Sequence, residues 1–194
     1  MTNIVVVYHS GFGHTAKQAQ AVAEGAGSVA SVTAKLLKVE DADKSWDLMA
    51  AADGIIFGSP TYMGNVSGPF KMFMDASSKA WFGQQWKDKI AAGFTNSGGL
   101  SGDKLNTLET LSIFAAQHSM IWVSQGIMPS VYTKDGRDLN RLGSWLGAMS
   151  VSTNESPEVT PPPADLETAR EFGKRVATAT VRWMAGKSAA TKAA

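Results

Sequence analysis

Cysteine is absent from these 194 residues. That excludes a disulfide framework, a thiolate nucleophile, a zinc knuckle and an iron–sulfur site. An excess of charge is missing too, since 18 basic residues against 17 acidic ones leave a net charge of +1. Nucleic acid asks for basic residues gathered on one face, and this balance offers no such footprint. Nor is there the strongly acidic surface by which a small electron carrier steers toward positive partners. No stretch approaches the ~20 uninterrupted apolar residues that span a bilayer, and no basic leader with an apolar run precedes the first strand. The expectation is a cytoplasmic protein with no membrane insertion. The three histidines, His9, His14 and His118, lack metal-ligand spacing, so no metal is expected. A G-x-S-x-G elbow for a Ser-His-Asp hydrolase is also lacking.

What is present begins with Ile4-Val5-Val6-Val7-Tyr8, which reads as a buried strand. His9-Ser10-Gly11-Phe12-Gly13-His14-Thr15 follows at once, and a helical stretch runs on to Ala26. A helix start has unpaired N–H groups and a partial positive charge, and glycines let the backbone close around a phosphate. Ser10 and Thr15 flank the turn, and no Lys or Arg lies inside it, so the anion would be held by neutral donors.

Apolar runs near 3–8, 29–37, 53–59, 90–95 and 119–124 alternate with helical patterns near 14–26, 43–51, 67–79, 103–117 and 164–184. Runs such as Gly54-Ile55-Ile56-Phe57 imply burial on both faces, hence a parallel sheet covered by helices. The prediction is one α/β domain over residues 1–185, a doubly wound five-stranded parallel sheet in the order 2-1-3-4-5. Residues 125–147 read as an excursion that interrupts the last strand, which resumes near Gly147–Val151. Residues 186–194, small and polar, are expected to form a frayed, disordered tail.

Three glycine- and hydroxyl-rich segments each follow a predicted strand: Ser10–Thr15, Ser59–Gly68 and Thr95–Gly102. Strands one, three and four are neighbours in the predicted order, so all three segments converge on one crevice at the carboxyl ends of the strands. In the second, Tyr62 and Met63 offer an apolar flank to a flat ring, with the Gly64 and Asn65 backbone near its edge. The third, Thr95-Asn96-Ser97-Gly98-Gly99, offers backbone N–H donors of the kind that stabilise the negative charge of a reduced flavin.

Tyr8–Thr15, Phe57–Gly68 and Gln117-His118-Ser119-Met120 together resemble the WrbA-type, flavodoxin-like NAD(P)H:quinone oxidoreductases, over residues 3 to about 183. The resemblance implies non-covalent FMN, with Ser10, Gly11, Phe12, Gly13, His14 and Thr15 on its phosphate. Pro60, Thr61, Tyr62 and Met63 would line the isoalloxazine, with Gly64 and Asn65 at its reactive edge. Thr95, Asn96, Ser97, Gly98 and Gly99 would hold the pyrimidine side, and His118 matches the family's flavin-site histidine. Phe12, Tyr62 and Trp81 would bound the substrate slot. NADH or NADPH as electron donor, a quinone-like acceptor and a homodimer or homotetramer are further implications. The chain departs from the family pattern in a short segment between Leu37 and Asp53, in Phe12 where a tyrosine is common, and in Tyr62 where an arginine is common.

The resulting expectation is hydride transfer from NAD(P)H through flavin N5 to a flat acceptor, with no side chain as acid, base or nucleophile. Two other readings stay open: a flavodoxin-type single-electron carrier, and a dinucleotide-binding dehydrogenase that uses the first turn alone. The second needs an acidic residue ending strand two, where Glu40 and Asp41 fall somewhat late.

Overall fold

In a computed structural model, which describes residues 1–193, the alternation predicted from apolar runs becomes seven strands and six helices. They are β1 (Thr2–Tyr8), α1 (His14–Gly27), β2 (Val32–Lys38), α2 (Trp46–Ala51), β3 (Gly54–Tyr62), β4 (Asn65–Val66) and α3 (Gly68–Ala76). There follow α4 (Ser78–Phe82), β5 (Ile90–Ser97), α5 (Lys104–Gln117), β6 (Ile121–Trp122), β7 (Ala148–Val151) and α6 (Pro163–Ala193). The main sheet runs β2-β1-β3-β5-β6, all parallel. Two-sided burial sorts the strand residues as the period of two requires. Ile4 and Val6 join Ile56, Phe94, Val22 and Phe172 under α1 and α6, whereas Val5 and Val7 join Phe57, Phe70, Trp86 and Leu108 under the opposite layer.

The last position in the sheet is shared. β6 pairs with Ile90 and Ala91 at the start of β5, and β7 pairs with Phe94–Ser97 at its end. The predicted strand order is therefore borne out, with its fifth strand split by the excursion. That excursion is organised from within. Asn140 donates to the Ile127 and Ser144 carbonyls at 2.8 Å each and accepts the Ser144 amide at 2.9 Å. The Trp122 indole donates to the Leu146 carbonyl at 2.9 Å, tying departure to return.

Several boundaries differ from the sequence reading. The helix expected over 43–51 is preceded by a 3-10 turn, Val39–Lys44, and begins at Trp46. The helix expected over 67–79 breaks at Ser77, whose hydroxyl bonds the Met74 carbonyl and competes with the helical ladder. β3 extends to Tyr62 and turns back as β4, so Ser59–Tyr62 is strand rather than loop. Helix α6 runs through Gly186 to Ala193 where composition predicts fraying, because Ala and Lys, strong helix formers, outnumber Gly186, Ser188 and Thr191 there. Ala194 lies outside the described residues. Among those residues no helix is long and apolar enough to cross a membrane.

Candidate functional site

The ends of β1, β3, β5 and β7 surround a cleft of about 600 Å³ at the carboxyl edge of the sheet. Its first wall is the turn into α1. Gly13 caps that helix at φ 91°, and a Cβ there would stand 2.6 Å from Pro157 Cγ, so no other residue fits without displacing the opposite wall. Ser10 Oγ accepts the Gly13 and Ala16 amides at 3.1 Å each, holding the turn in shape. The first-turn amides have no intrahelical acceptor, and no acidic residue lies in that turn to repel an anion. The cation nearest in sequence, Lys17, pairs with Glu158 at 2.7 Å.

The second wall is the end of β3. Its Tyr62 phenol meets the Gly11 amide, joining the first and second segments; burial raises the phenol's pKa and that bond partly counters the rise. Phe12 and Tyr62 stand edge to face with ring centroids 6.4 Å apart, both with exposed area at the mouth. Such a pair presents an apolar flank to a planar ring. Beneath them Thr61 Oγ1 bonds Thr95 Oγ1 and Thr107 Oγ1 at 2.8 Å each, a buried hydroxyl cluster that locks β3 to β5 and α5.

The third wall is the end of β5. Ser150 and Ser152 both donate to Asn96 Oδ1 at 2.9 Å, which fixes the carboxamide and leaves its NH2 as the group free to donate. Ser97 and Gly98 continue the wall. A fourth segment, Ser152–Pro157, closes the cleft opposite Gly13, held by the Ser152 amide on the Ser97 carbonyl at 3.0 Å and by His14 Nε2, which donates to the Glu155 carbonyl at 2.8 Å. This segment escapes the sequence reading, although the rule that found the other three applies to it. It follows the resumed last strand, and the interruption hides that strand's end.

Ser10, Phe12, His14, Thr15, Pro60, Thr61, Tyr62, Asn96, Ser97 and Gly98 line one cleft as expected, with Gly11 and Gly13 in its backbone. The other candidates sit elsewhere. Thr95 is fully buried and serves the hydroxyl cluster rather than the cleft. Met63 and Gly64 form the tip of the β3–β4 hairpin with φ of 47° and 82°, and Met63 is wholly exposed. Asn65 Oδ1 is taken by the Val66 amide, and Asn106 Nδ2 donates to the Gly64 carbonyl at 2.7 Å, fastening the tip to α5. Gly99 is exposed and is not among the residues that line the cleft.

His118 and Trp81 depart from the expectation of a single cleft, because neither lines this one. α5 starts at the cleft and runs antiparallel to the strands for 14 residues, about 20 Å, and His118 caps its far end at the amino edge. There it lines a separate depression of about 390 Å³ with Trp81, Met74 and Ile113. The His118 ring packs 4.2 Å from Trp86 and 4.9 Å from Phe114, and burial pulls its pKa down to about 4. Ser77 Oγ donates to the Met74 carbonyl and therefore accepts from His118 Nε2 at 2.9 Å, which leaves Nδ1 buried without a partner.

The donors and shape at the carboxyl edge fit a phosphate joined to a flat, hydrogen-bonding ring. Residues 13–133 match the family described as NADPH-dependent FMN reductase. Flavodoxin FldP of Pseudomonas aeruginosa (strain UCBPP-PA14) is 43% identical over 182 residues, covering 91% of this chain and 96% of its own. An NAD(P)H dehydrogenase (quinone) of Archaeoglobus fulgidus is 33% identical over 199 residues, covering 91% and 96%. Among solved structures, a flavodoxin, WrbA-like protein from Agrobacterium tumefaciens aligns with a TM-score of 0.75 at 44% identity, covering 94% of this chain and 99% of that one.

Proposed function

The chain belongs to the NADPH-dependent FMN reductase family, with WrbA-like relatives, and on that premise we propose that it is an FMN-dependent NAD(P)H:quinone oxidoreductase. The observation that carries the reading is the convergence of four strand-end segments on one cation-free cleft of about 600 Å³, within the range of small-molecule cofactor sites. Ser10 to Thr15 would hold the phosphate through backbone amides and hydroxyls. Pro60 to Tyr62 would flank one face of the ring, and Asn96 to Gly98 would meet its polar edge. When bound, FMN supplies the redox chemistry, accepting a hydride equivalent from NAD(P)H and delivering it to a flat acceptor.

The protein's own part is orientation and exclusion. Phe12 and Tyr62 bound a slot that admits one planar molecule at a time, so donor and acceptor would alternate there. No side chain has to exchange a proton with either substrate. His14 is spent on the Glu155 carbonyl, and the Thr61 hydroxyl on its buried cluster. Association belongs to the same proposal. His118, about 20 Å from its own cleft along α5, and Trp81 on the same depression would serve a cofactor only in a neighbouring copy of a homodimer or homotetramer. Exposed Met72, Phe82 and Ile113 lie on that same helical layer.

A second reading, a flavodoxin-type single-electron carrier, is favoured by the name of the 43% identical relative. One experiment separates the two. The FMN-loaded protein is mixed anaerobically with NADH or NADPH, and flavin absorbance near 450 nm is followed on the order of seconds, the time scale of ordinary turnover. Bleaching that a quinone reverses is the expected result. FMN that binds but stays oxidised in the presence of either nucleotide would leave only the carrier.

A further inference from the structure

Lys104, the first residue of α5, is wholly buried, which is rare for lysine. Its ammonium donates to Ser97 Oγ at 3.0 Å, to the Gly99 carbonyl at 2.5 Å and to the Leu100 carbonyl at 3.0 Å, so all three of its protons are used. Ser97 Oγ in turn donates to the Gly99 carbonyl at 3.1 Å. The loop Ser97–Asp103 is thus wrapped around a cation. Consecutive left-handed residues, Gly102 at φ 55° and Asp103 at φ 50°, make the wrap possible, and a Cβ at Gly102 would stand 2.2 Å from Ser97 Oγ.

Two consequences follow for the cleft. Planar trans peptides point N–H and C=O in opposite directions. Drawing the Gly99 and Leu100 carbonyls inward therefore turns the Leu100 and Ser101 amides away from the ammonium. Ser97 lines the cleft, so the positive charge stands one hydroxyl behind the wall assigned to the pyrimidine edge. Beneath that wall water is excluded, and a fixed charge acts more strongly than at the surface.

We infer that Lys104 is the positioning cation of this site, which holds the loop behind the Ser97–Gly98 wall in shape for the cofactor and favours two-electron-reduced, anionic FMN over the oxidised form. The inference rests on the reading of the cleft as an FMN site. The phosphate turn contains no cation, so Lys104 supplies the charge that responds to reduction of the ring. The charged groups that face it from other elements are Asp165 at the start of α6 and Arg141 in the excursion, paired with each other at 2.6 Å. Burial lowers the Lys104 pKa to about 8, with Asp165 opposing and Arg141 adding to the fall.

The test uses the full chain and compares Lys104→Met and Lys104→Gln with the native protein, each checked for folding by circular dichroism. Affinity for oxidised FMN is measured by flavin fluorescence and the midpoint potential by dye-coupled reduction. Lys104→Gln keeps a donor for the loop carbonyls but no charge. It should bind oxidised FMN within about threefold of native, while the ratio of reduced to oxidised affinity falls about tenfold, or ~30 mV for a two-electron couple. Lys104→Met should lose both the ratio and at least about tenfold in oxidised affinity, because the Leu100 carbonyl loses its partner and the Gly99 carbonyl keeps only the Ser97 hydroxyl. Native protein taken from pH 7 to 9.5 should show a decline in the ratio beyond that of free FMN as Lys104 gives up its proton, and this readout depends on no variant folding. A lysine that only supports the fold would lower thermal stability and leave the potential in place, which overturns the inference. Native protein that fails to bind FMN at all overturns the site reading instead.

Discussion

At the carboxyl edge of the sheet, hydroxyls and amides converge on an open cleft, and the aromatic rings Phe12 and Tyr62 stand at its mouth. At the amino edge the proportions reverse. Trp86, Phe114 and Phe73 form a packed aromatic cluster, and a neutral histidine is folded into it with one nitrogen unpaired. The two regions are the two ends of the same α5. The carboxyl edge collects strand ends, whose backbone groups run out of ladder partners, and helix starts, whose amides lack intrahelical acceptors. Unpaired polar groups are on offer there. The amino edge collects helix ends packed on a large apolar core, and what it offers is apolar surface.

The sharpest way to break this comparison is at Gly13. Gly13→Val would place a β-branched residue at φ 91° with its Cβ 2.6 Å from Pro157 Cγ. FMN affinity should fall about a thousandfold, or ~4 kcal/mol, with the fold retained. A fluorescence titration of FMN into the folded variant checks it, and affinity within tenfold of native would mean that this turn does not hold the phosphate.

The amino edge should answer to acid instead. Burial holds His118 at about 4, below the ordinary histidine value near 6.5. Between those values the unfolded chain binds the proton that the folded one refuses. The stability owed to the buried neutral ring is therefore full above pH 6.5 and is lost as pH falls toward 4, by up to about 3 kcal/mol. Urea unfolding of the native protein and of His118→Phe across that range should show the native curve falling more steeply. Parallel curves would place the imidazole in contact with water.

Trp81→Ala gives the smallest expected effect and sharpens the contrast most. In dilute, monomeric protein FMN affinity should change less than about twofold, since the indole is remote from its own cleft. If the change grows with protein concentration alongside the mass measured by light scattering, the two edges meet across a subunit boundary, as the association proposal requires. A large effect in the monomer would contradict the separation of the two regions.

Much of the carboxyl edge was legible in the chain because its signals are local. Ser10-Gly11-Phe12-Gly13 is a strand-to-helix turn whatever surrounds it, and Asn96-Ser97-Gly98 follows its strand directly. The β3–β4 hairpin was less legible. Its tip carries Met63 at positive φ where Asn or Gly would announce the turn, and the Asn106 bond from α5 that fastens it crosses 42 residues. Ser152–Pro157 was hidden by the excursion that splits the last strand. Lys104 gave no sign at all, since a lysine in the first turn of a helix is ordinarily exposed.

Taken alone, then, the order of residues determined the parallel sheet, its strand order and the cation-free glycine turn into α1, because each depends on periodicity or on residues adjacent in the chain. Only the tertiary structure decided that His118 and Trp81 stand apart from the cleft, that a fourth wall closes it, and that a buried ammonium lies behind the third. Those facts depend on which ends of helices and strands meet in space. The length of α5 and the break in the last strand settle that, and neither acts between residues near one another in sequence.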